Sequence, residues 1–278
     1  MYKLECSVSV GCTISKGLKN CEFNYYVNPK FEDELNQIKD AGITAIELYF
    51  GAGVYARGEK IIKNFKKALK IVKKSGLRLN SIHFPFGPAW ADLACPYEED
   101  RVEIVKWFGK MFKISNKLKP VAYVFHPGAD NIKEEQRELC MSQLVKTVDE
   151  LSTYTDSYVC VENMVGGILL NTLDKILDYA QRTKKGYVIL DVNHLLQDKP
   201  QDAILALGDK LKSLHISDHD FVYEKHWLPT EGKIEWQEVI KALEKIGYSN
   251  CFTYEVNGCY SYKTIKENYE RLFNEYNK

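Results

Sequence analysis

Short apolar runs and amphipathic stretches alternate along the whole chain. The apolar runs are rich in β-branched residues and apolar at adjacent positions, which is typical of strands that a parallel sheet buries on both faces. The amphipathic stretches begin at Asn, Ser, Pro or acidic residues, and glycine terminates several of them, as it does in helices. The predicted strands are 4–10, 44–50, 77–84, 121–126, 158–163, 186–192, 210–217 and 251–256, and the predicted helices are 31–42, 59–75, 98–117, 133–153, 171–182, 200–208, 235–246 and 261–276.

Eight strand–helix units in an unbroken series predict one α/β domain, residues 1–278, folded as a (β/α)8 barrel. An open doubly wound sheet is the alternative. That fold expects a glycine-rich turn after the first strand, and Gly11 followed by Cys12 and Thr13 matches it poorly. The segment between the first strand and the first helix is predicted to be a polar loop.

Composition adds few constraints. The chain has 38 basic and 38 acidic residues, so no global field favours binding to nucleic acid. Its eight cysteines form no C-x-x-C pair, and Cys160 and Cys251 fall in predicted strands, which favours reduced, packed thiols. Glu5 interrupts the only apolar stretch at the start, and no apolar run approaches the roughly 20 residues that span a bilayer. We therefore expect a soluble cytoplasmic protein.

Polar side chains occur repeatedly at or just beyond the ends of predicted strands. Because the carboxyl ends of parallel strands meet on one face of a barrel, these side chains would converge there. Imidazoles and carboxylates are ligands of divalent metal ions. The residues at these positions are His83, His126, Glu162, Asp191, His194, His215 and Glu255.

Four of these residues close the last four predicted strands, which are neighbours in a barrel: Glu162, Asp191, His215 and Glu255. Buried carboxylates are costly alone, but a shared cation compensates them. The competing explanation, a polar group satisfied separately at each strand end, requires four coincidences. His194 follows Asp191 by three residues, so both can face the mouth of the barrel, although Asp191 could also cap a turn.

The loop SDHDFVYEKHWLPTEGKIEW is long enough to suggest a function. It adds Glu224 and His226 as candidate ligands for further metal or for substrate, together with His83, His126 and His194. His219 is expected at the surface or behind the ligands. Aromatic rings that could cover the apolar face of a sugar lie at the same end, with Phe86, Trp90 and Trp227 as the candidates for contact with substrate.

Seven short motifs, in this order and spacing, resemble the xylose-isomerase-like barrel superfamily, in its sugar isomerase/epimerase branch. The resemblance covers nearly the whole chain and is strongest between Ser81 and Val256. The motifs are SIHFPFGPAW, VFHPGAD, VCVEN, VILDVNHLL, LHISDHD, HWLPTEGKIEW and TYEV.

The resemblance implies one divalent metal ion, with Mn²⁺ as the first choice and Zn²⁺, Co²⁺ or Mg²⁺ as alternatives. It implies that Glu162 and Glu255 act as acid and base, and that His194 contacts substrate. His226 stands where the ketose epimerases have an arginine. The metal ligands that the resemblance implies are Glu162, Asp191, His215 and Glu255.

A related branch, the abasic-site endonucleases, holds three zinc ions. Eight residues of this chain match its ligands, and Glu224 replaces an aspartate of that branch. The balanced charge and the lack of obvious DNA-inserting loop residues favour sugar chemistry. A sugar-binding barrel without turnover is a third alternative, against which the intact ligand set argues. The eight matching residues are His83, His126, Glu162, Asp191, His194, His215, His226 and Glu255.

The preferred hypothesis is a metal-dependent isomerase or epimerase that moves a proton next to a sugar carbonyl through an enediolate. Epimerisation, isomerisation and dehydration share the first step, and the sequence does not separate them. The loops after the last two strands contain only Asn257 and Gly258 as a hint of a phosphate site, so we expect an unphosphorylated sugar, keto-sugar or cyclitol. No membrane or nucleic-acid partner is expected, and a homo-oligomer is left open.

Overall fold

A computed structural model describes residues 1–17, 23–51, 58–86, 91–128, 132–167 and 169–278. Within these ranges the strands are β1 (Cys6–Gly11), β2 (Thr13–Gly17), β3 (Phe23–Val27), β4 (Ala45–Tyr49), β5 (Arg78–His83), β6 (Ala122–Phe125), β7 (Tyr158–Glu162), β8 (Tyr187–Asp191), β9 (Leu211–His215) and β10 (Phe252–Tyr254). The helices are α1 (Phe31–Asp40), α2 (Glu59–Ser75), α3 (Glu98–Ser115), α4 (Arg137–Leu151), α5 (Leu173–Arg182), α6 (Pro200–Leu207), α7 (Trp236–Lys245) and α8 (Tyr262–Tyr276).

Eight of the described strands form one parallel sheet in the order β10-β1-β4-β5-β6-β7-β8-β9. Its two outer strands meet through Ile216, which bridges to Tyr254 and accepts a hydrogen bond from the Glu255 N–H at 3.1 Å. The sheet is thus a nearly closed barrel, with a helix after each strand. The predicted (β/α)8 fold is confirmed.

Burial explains the hydrophobic pattern of the sequence. All four residues of β6 are buried, because the barrel interior lies on one side of each strand and the helices lie on the other. In α1 the buried residues are Phe31, Leu35 and Ile38, at the spacing of one helical face. Helix α2 ends at Gly76, whose φ of 79° is a left-handed conformation that favours glycine.

The segment between β1 and α1 differs from the prediction. It contains an antiparallel ribbon of β2 and β3, in which Thr13 pairs with Val27 and Gly17 with Phe23. The predicted polar loop is therefore wrong over these residues. The alternation of apolar and polar side chains is too weak in TISKG and FNYYV to indicate strands, and the ribbon stands apart from the barrel sheet.

The core carries packed aromatic rings and thiols. Phe84 is fully buried and its ring lies 5.1 to 5.7 Å from those of Phe108, Phe125 and Tyr123, so it is a core residue. Seven of the described cysteines are free, and all of them except Cys259 are buried. In the described part of the chain no helix is both long and apolar enough to cross a membrane.

Candidate metal centre

The carboxyl ends of the barrel strands bring the predicted polar residues together. His83, Glu162, Asp191 and His215 are the last residues of β5, β7, β8 and β9. Glu255 directly follows β10, and the last residue of β6 is followed by His126. Parallel strands place these positions at one mouth of the barrel, where active sites of this architecture lie.

Four of these side chains form what we call the central group: Glu162, Asp191, His215 and Glu255. One ligand atom of each lies within 4.8 Å of the corresponding atoms of the others. The Nδ1 atom of His215 is 3.0 Å from Glu162 Oε1 and 2.9 Å from Glu255 Oε2. Three carboxylates and one imidazole at this spacing can enclose a divalent cation.

One oxygen of Asp191 supports a cation at this point. Its Oδ1 atom accepts a hydrogen bond from the Asn193 N–H at 2.7 Å, whereas its Oδ2 atom is buried and forms no hydrogen bond, although it lies 3.3 Å from His194 Nε2. A buried carboxylate oxygen without a hydrogen bond is costly. Because Oδ2 faces the central group, the donor set fits a metal ion.

Two outer groups share residues with the central one. The first, the His83 group, consists of His83, His126 and Glu162. The second, the His226 group, consists of Asp191, His194 and His226. Glu224 lies beside it, with Oε1 2.7 Å from His226 Nε2 and 3.4 Å from His194 Nε2. Glu162 and Asp191 could therefore each bridge two ions.

Three imidazoles of the outer groups are anchored to main-chain carbonyls. The Nδ1 atoms of His83, His194 and His226 lie 2.8 to 2.9 Å from the carbonyl oxygens of Phe84, Asn163 and Glu255. Since a carbonyl can only accept, Nδ1 carries the proton and Nε2 is directed to the neighbouring carboxylates. This orientation leaves Nε2 available as a metal ligand.

His215 is anchored differently, by a carboxylate that the sequence reasoning missed. Its Nε2 atom lies 2.8 Å from Oε1 of Glu47, a wholly buried residue in the middle of β4. The available signal was a single charged residue within an otherwise apolar strand, TAIELYF. Asn163 was also missed, although its side chain accepts from the Asp191 N–H at 2.7 Å and donates to the Asp191 carbonyl at 2.9 Å.

In the metal-free protein the site is a set of coupled charges. Burial opposes ionisation, but the His215 imidazolium and hydrogen bonds hold the pKa of Glu162 well below its usual range. Burial also disfavours the ionised form of Glu255, but the charge of His215 and its hydrogen bond lower the pKa of Glu255 to about 2. Burial raises the pKa of Asp191 to about 6. Burial disfavours the charged ring of His194, yet the Asp191 carboxylate and the Glu224 hydrogen bond raise its pKa to about 10. In the metal-free protein, protons on the imidazoles thus balance the negative charge of the carboxylates, and a bound cation could take over this role.

The long loop after β9 is held by the buried carboxylate of Asp218. Its Oδ1 atom accepts from the N–H groups of His219 and Ile234, at 2.9 and 3.2 Å. Its Oδ2 atom accepts from the Thr230 N–H and the Trp236 indole N–H, both at 2.8 Å. Four donors on one carboxylate fix the loop that carries Glu224 and His226.

His219 is buried, which excludes the surface and leaves the second of its two predicted positions, behind the candidate ligands. Its Nδ1 atom accepts from the Phe221 N–H at 3.0 Å, and its Nε2–H therefore donates to the Val192 carbonyl at 3.2 Å. The ring thus ties the loop to the turn that contains His194. Position 232 also requires glycine, because a Cβ atom there would lie 2.3 Å from Asp218 Oδ1 and would prevent this close packing of the loop.

The predicted substrate-binding aromatic residues have different positions. Phe86 is 44% exposed and its ring stacks on that of His126, with centroids 3.9 Å apart, so it borders the His83 group. Trp227 is half-buried on the loop after β9, with Lys225 Nζ 5.4 Å from its ring centroid. Trp90 lies outside the described residues. Contact of these three rings with substrate stays a prediction.

Comparisons with known proteins agree with this architecture. The family model of the xylose isomerase-like TIM barrel matches residues 35–273. A D-tagatose 3-epimerase-like protein has a TM-score of 0.74 at 18% identity, covering 99% of this chain and 98% of its own. D-psicose 3-epimerase from Clostridium cellulolyticum H10, solved with D-tagatose, has a TM-score of 0.69 at 14% identity, with the same coverages of 99% and 98%.

One curated relative, an uncharacterized protein of Methanocaldococcus jannaschii, is 22% identical over 139 residues. The match takes in 49% of this chain and 55% of that protein, so the chain spans about half the length of the curated relative. The solved structures share the fold with this chain, and the family model covers most of its length. The chain belongs to the xylose isomerase-like TIM barrel family.

Proposed function

We propose that the protein is a divalent-metal-dependent isomerase or epimerase that transfers a proton next to the carbonyl group of a sugar. The central group carries the proposal, because its three carboxylates and one imidazole lie within 4.8 Å of one another at the mouth of the barrel. The resemblance in fold to a D-psicose 3-epimerase and to a D-tagatose 3-epimerase-like protein supports sugar as the substrate class.

The central group would hold the ion through Glu162, Asp191, His215 and Glu255. When bound, a divalent cation polarises a carbonyl oxygen and stabilises the negative charge that develops on it. Mn²⁺ remains our first choice, with Zn²⁺, Co²⁺ and Mg²⁺ as alternatives. Asp191 and His215 are wholly buried, so we assign them to binding of the ion rather than to contact with substrate.

Glu162 and Glu255 are the proposed acid and base. Both have a lowered pKa and are therefore ionised at neutral pH, as a base must be. The side chain of Glu255 is 31% exposed, whereas that of Glu162 is 1% exposed. We assign the first proton abstraction to Glu255, because a substrate can reach it directly. Glu162 must first take up a proton from solvent before it can act as the acid, and Glu255 releases the proton it has taken to solvent. Delivery of the proton from Glu162 to the opposite face gives an epimer, and delivery to the adjacent carbon gives an isomer.

Solvent deuterium exchange tests this assignment. The Mn²⁺-loaded protein is incubated in D₂O with a panel of unphosphorylated ketoses and cyclitols, and incorporation next to the carbonyl is followed by NMR. Glu255→Gln is expected to abolish incorporation while the circular dichroism spectrum is unchanged. Glu238→Gln, at an exposed position of α7, is the matched control and should exchange like the wild type. Undiminished exchange in Glu255→Gln would remove Glu255 from the reaction.

A second candidate is zinc-dependent phosphodiester hydrolysis, as in the abasic-site endonucleases. The observation that favours it is the pair of outer groups, which share Glu162 and Asp191 with the central group. Metal content separates the candidates: elemental analysis of protein purified without chelator should give about one ion per chain for sugar chemistry and about three zinc ions for hydrolysis. His126→Ala should weaken a one-ion enzyme modestly, whereas in a three-ion enzyme it should remove one zinc. Cleavage of an oligonucleotide with an abasic site is the direct assay.

A further inference from the structure

Glu47 is a buried carboxylate whose position the proposed proton transfer does not explain. It lies in the middle of β4 and is wholly inaccessible to solvent. Transfer of an ionised carboxylate from water to such a position is costly unless hydrogen bonds and charges compensate it. A carboxylate therefore persists here only where its partners stabilise it.

The partners of Glu47 occupy both of its oxygen atoms. The hydroxyl of Ser9, in β1, donates to Oε1 at 3.0 Å, and the hydroxyl of Ser81, in β5, donates to Oε2 at 2.8 Å. The Oε1 atom also lies 2.8 Å from Nε2 of His215, in β9. Strands on either side of β4 thus fix the carboxylate so that it meets one nitrogen of His215.

The other nitrogen of this imidazole faces the central group. Nδ1 of His215 is 2.9 Å from Glu255 and 3.0 Å from Glu162. A carboxylate on Nε2 keeps the proton on that atom and leaves Nδ1 as the ligand atom. It also increases the electron density of the ring more than a neutral carbonyl does, because the acceptor carries a full charge.

We propose that Glu47 is a positioning residue that fixes the tautomer of His215 and makes the central group the one that binds its ion most tightly. The imidazoles of His83, His194 and His226 are hydrogen-bonded to neutral carbonyls. Of the four anchored imidazoles, His215 therefore has the strongest hydrogen-bond partner. The central group also contains three carboxylates, whereas the His83 and His226 groups contain one each. The inference rests on the metal dependence of the proposed function but not on its substrate.

Glu47→Gln is the decisive variant, because it removes the charge and keeps the size and an acceptor oxygen. We expect the tightest equivalent of Zn²⁺, measured by competition with a chromophoric chelator, to bind about 10- to 100-fold more weakly. The thermal transition of the metal-free variant is recorded in parallel. The matched control is Glu5→Gln, whose carboxylate pairs with Arg78 at the surface and should leave Zn²⁺ affinity unchanged.

The wild-type protein supplies a measurement that does not depend on folding of the variant. With ¹⁵N-labelled histidine, the His215 signals, assigned by comparison with His215→Gln, should show a proton on Nε2 and a large shift of Nδ1 on addition of Zn²⁺. Binding through Nε2, or unchanged Zn²⁺ affinity in Glu47→Gln, would overturn the role of Glu47 while leaving the proposed function in place. A wild-type protein that binds no Zn²⁺, Mn²⁺ or Co²⁺ would overturn both.

Discussion

Asn163 joins the ends of two barrel strands through its side chain. It directly follows β7, and its amide group forms two hydrogen bonds with the main chain of Asp191, at the end of β8. The side chain thus continues the pattern of sheet hydrogen bonds by one step beyond the last paired residues. Its own carbonyl oxygen anchors His194 at 2.8 Å. One residue therefore positions two candidate ligands, Asp191 and His194.

Asn163→Ala should destabilise the protein by about 2 kcal/mol or more, because it leaves a buried N–H and a buried C=O of Asp191 without partners. The free energy of unfolding of the metal-free protein in urea measures this effect. Asn274→Ala, at an exposed position of α8, is the matched control and should change stability little. Equal stability of the two variants would show that the Asn163 bridge contributes nothing.

The protons on the imidazoles of the His226 group predict a pH dependence of metal binding. Burial disfavours the charged ring of His226, but the Glu224 hydrogen bond raises its pKa to about 9, and that of His194 is raised to about 10. At neutral pH both rings are protonated, so an ion that binds them must displace a proton from each. Affinity should therefore increase as the pH rises towards 9.

Calorimetric titration with Zn²⁺ in buffers of different ionisation enthalpy measures this proton release. His226→Gln, which removes one of the two titrating rings, should release about one proton fewer per chain saturated with Zn²⁺. An affinity for Zn²⁺ that is independent of pH between 6 and 9, or a proton release identical in the variant, would show that these rings do not bind the ion.

At the scale of elements, the loop between β9 and α7 depends on Asp218. Each carboxylate oxygen of Asp218 accepts hydrogen bonds from two N–H groups. An asparagine retains one of these oxygens, and its NH₂ group would replace the other and face two N–H donors that it cannot accept from. Asp218→Asn should therefore cost about 2 kcal/mol or more, since two buried donors lose their acceptor. The loop carries Glu224 and His226, so a second zinc ion, if the His226 group holds one, should be lost while the central group retains its ion.

Asp220→Asn is the control for this prediction. Asp220 lies in the same loop, and its Oδ1 atom accepts hydrogen bonds from the N–H groups of Val222 and Tyr223, at 2.9 and 3.2 Å, which an asparagine oxygen can also accept. Urea unfolding and zinc content of the two variants give the comparison. If the wild-type protein binds more than one zinc ion and Asp218→Asn retains all of them, the fixed loop is not needed for zinc binding by the His226 group.

At the scale of the whole molecule, the barrel and its polar mouth were predictable for one reason. Parallel strands place their carboxyl ends together, so strand ends such as Glu162 and His215 could be expected to meet although they are distant in sequence. The role of Glu47 could not be predicted, because it depends on a contact across the barrel with a residue 168 positions away. The β2–β3 ribbon was missed because its strands carry no clear alternation of apolar and polar residues.

Because carboxylates are concentrated at one mouth, we expect the stability of the whole barrel to depend on metal. An ion that binds only the folded protein stabilises it by about 2.7 kcal/mol at 100 times its Kd. For a chain of this size, about 2–4 °C of Tm corresponds to each kcal/mol, so EDTA should lower Tm by roughly 5–10 °C. Glu162 belongs to two of the three groups, and Glu162→Ala should therefore have a Tm that responds little to EDTA or added Zn²⁺. If EDTA leaves the wild-type Tm unchanged, the charges at the mouth are compensated by the protein alone, and the metal centre has no part in its stability.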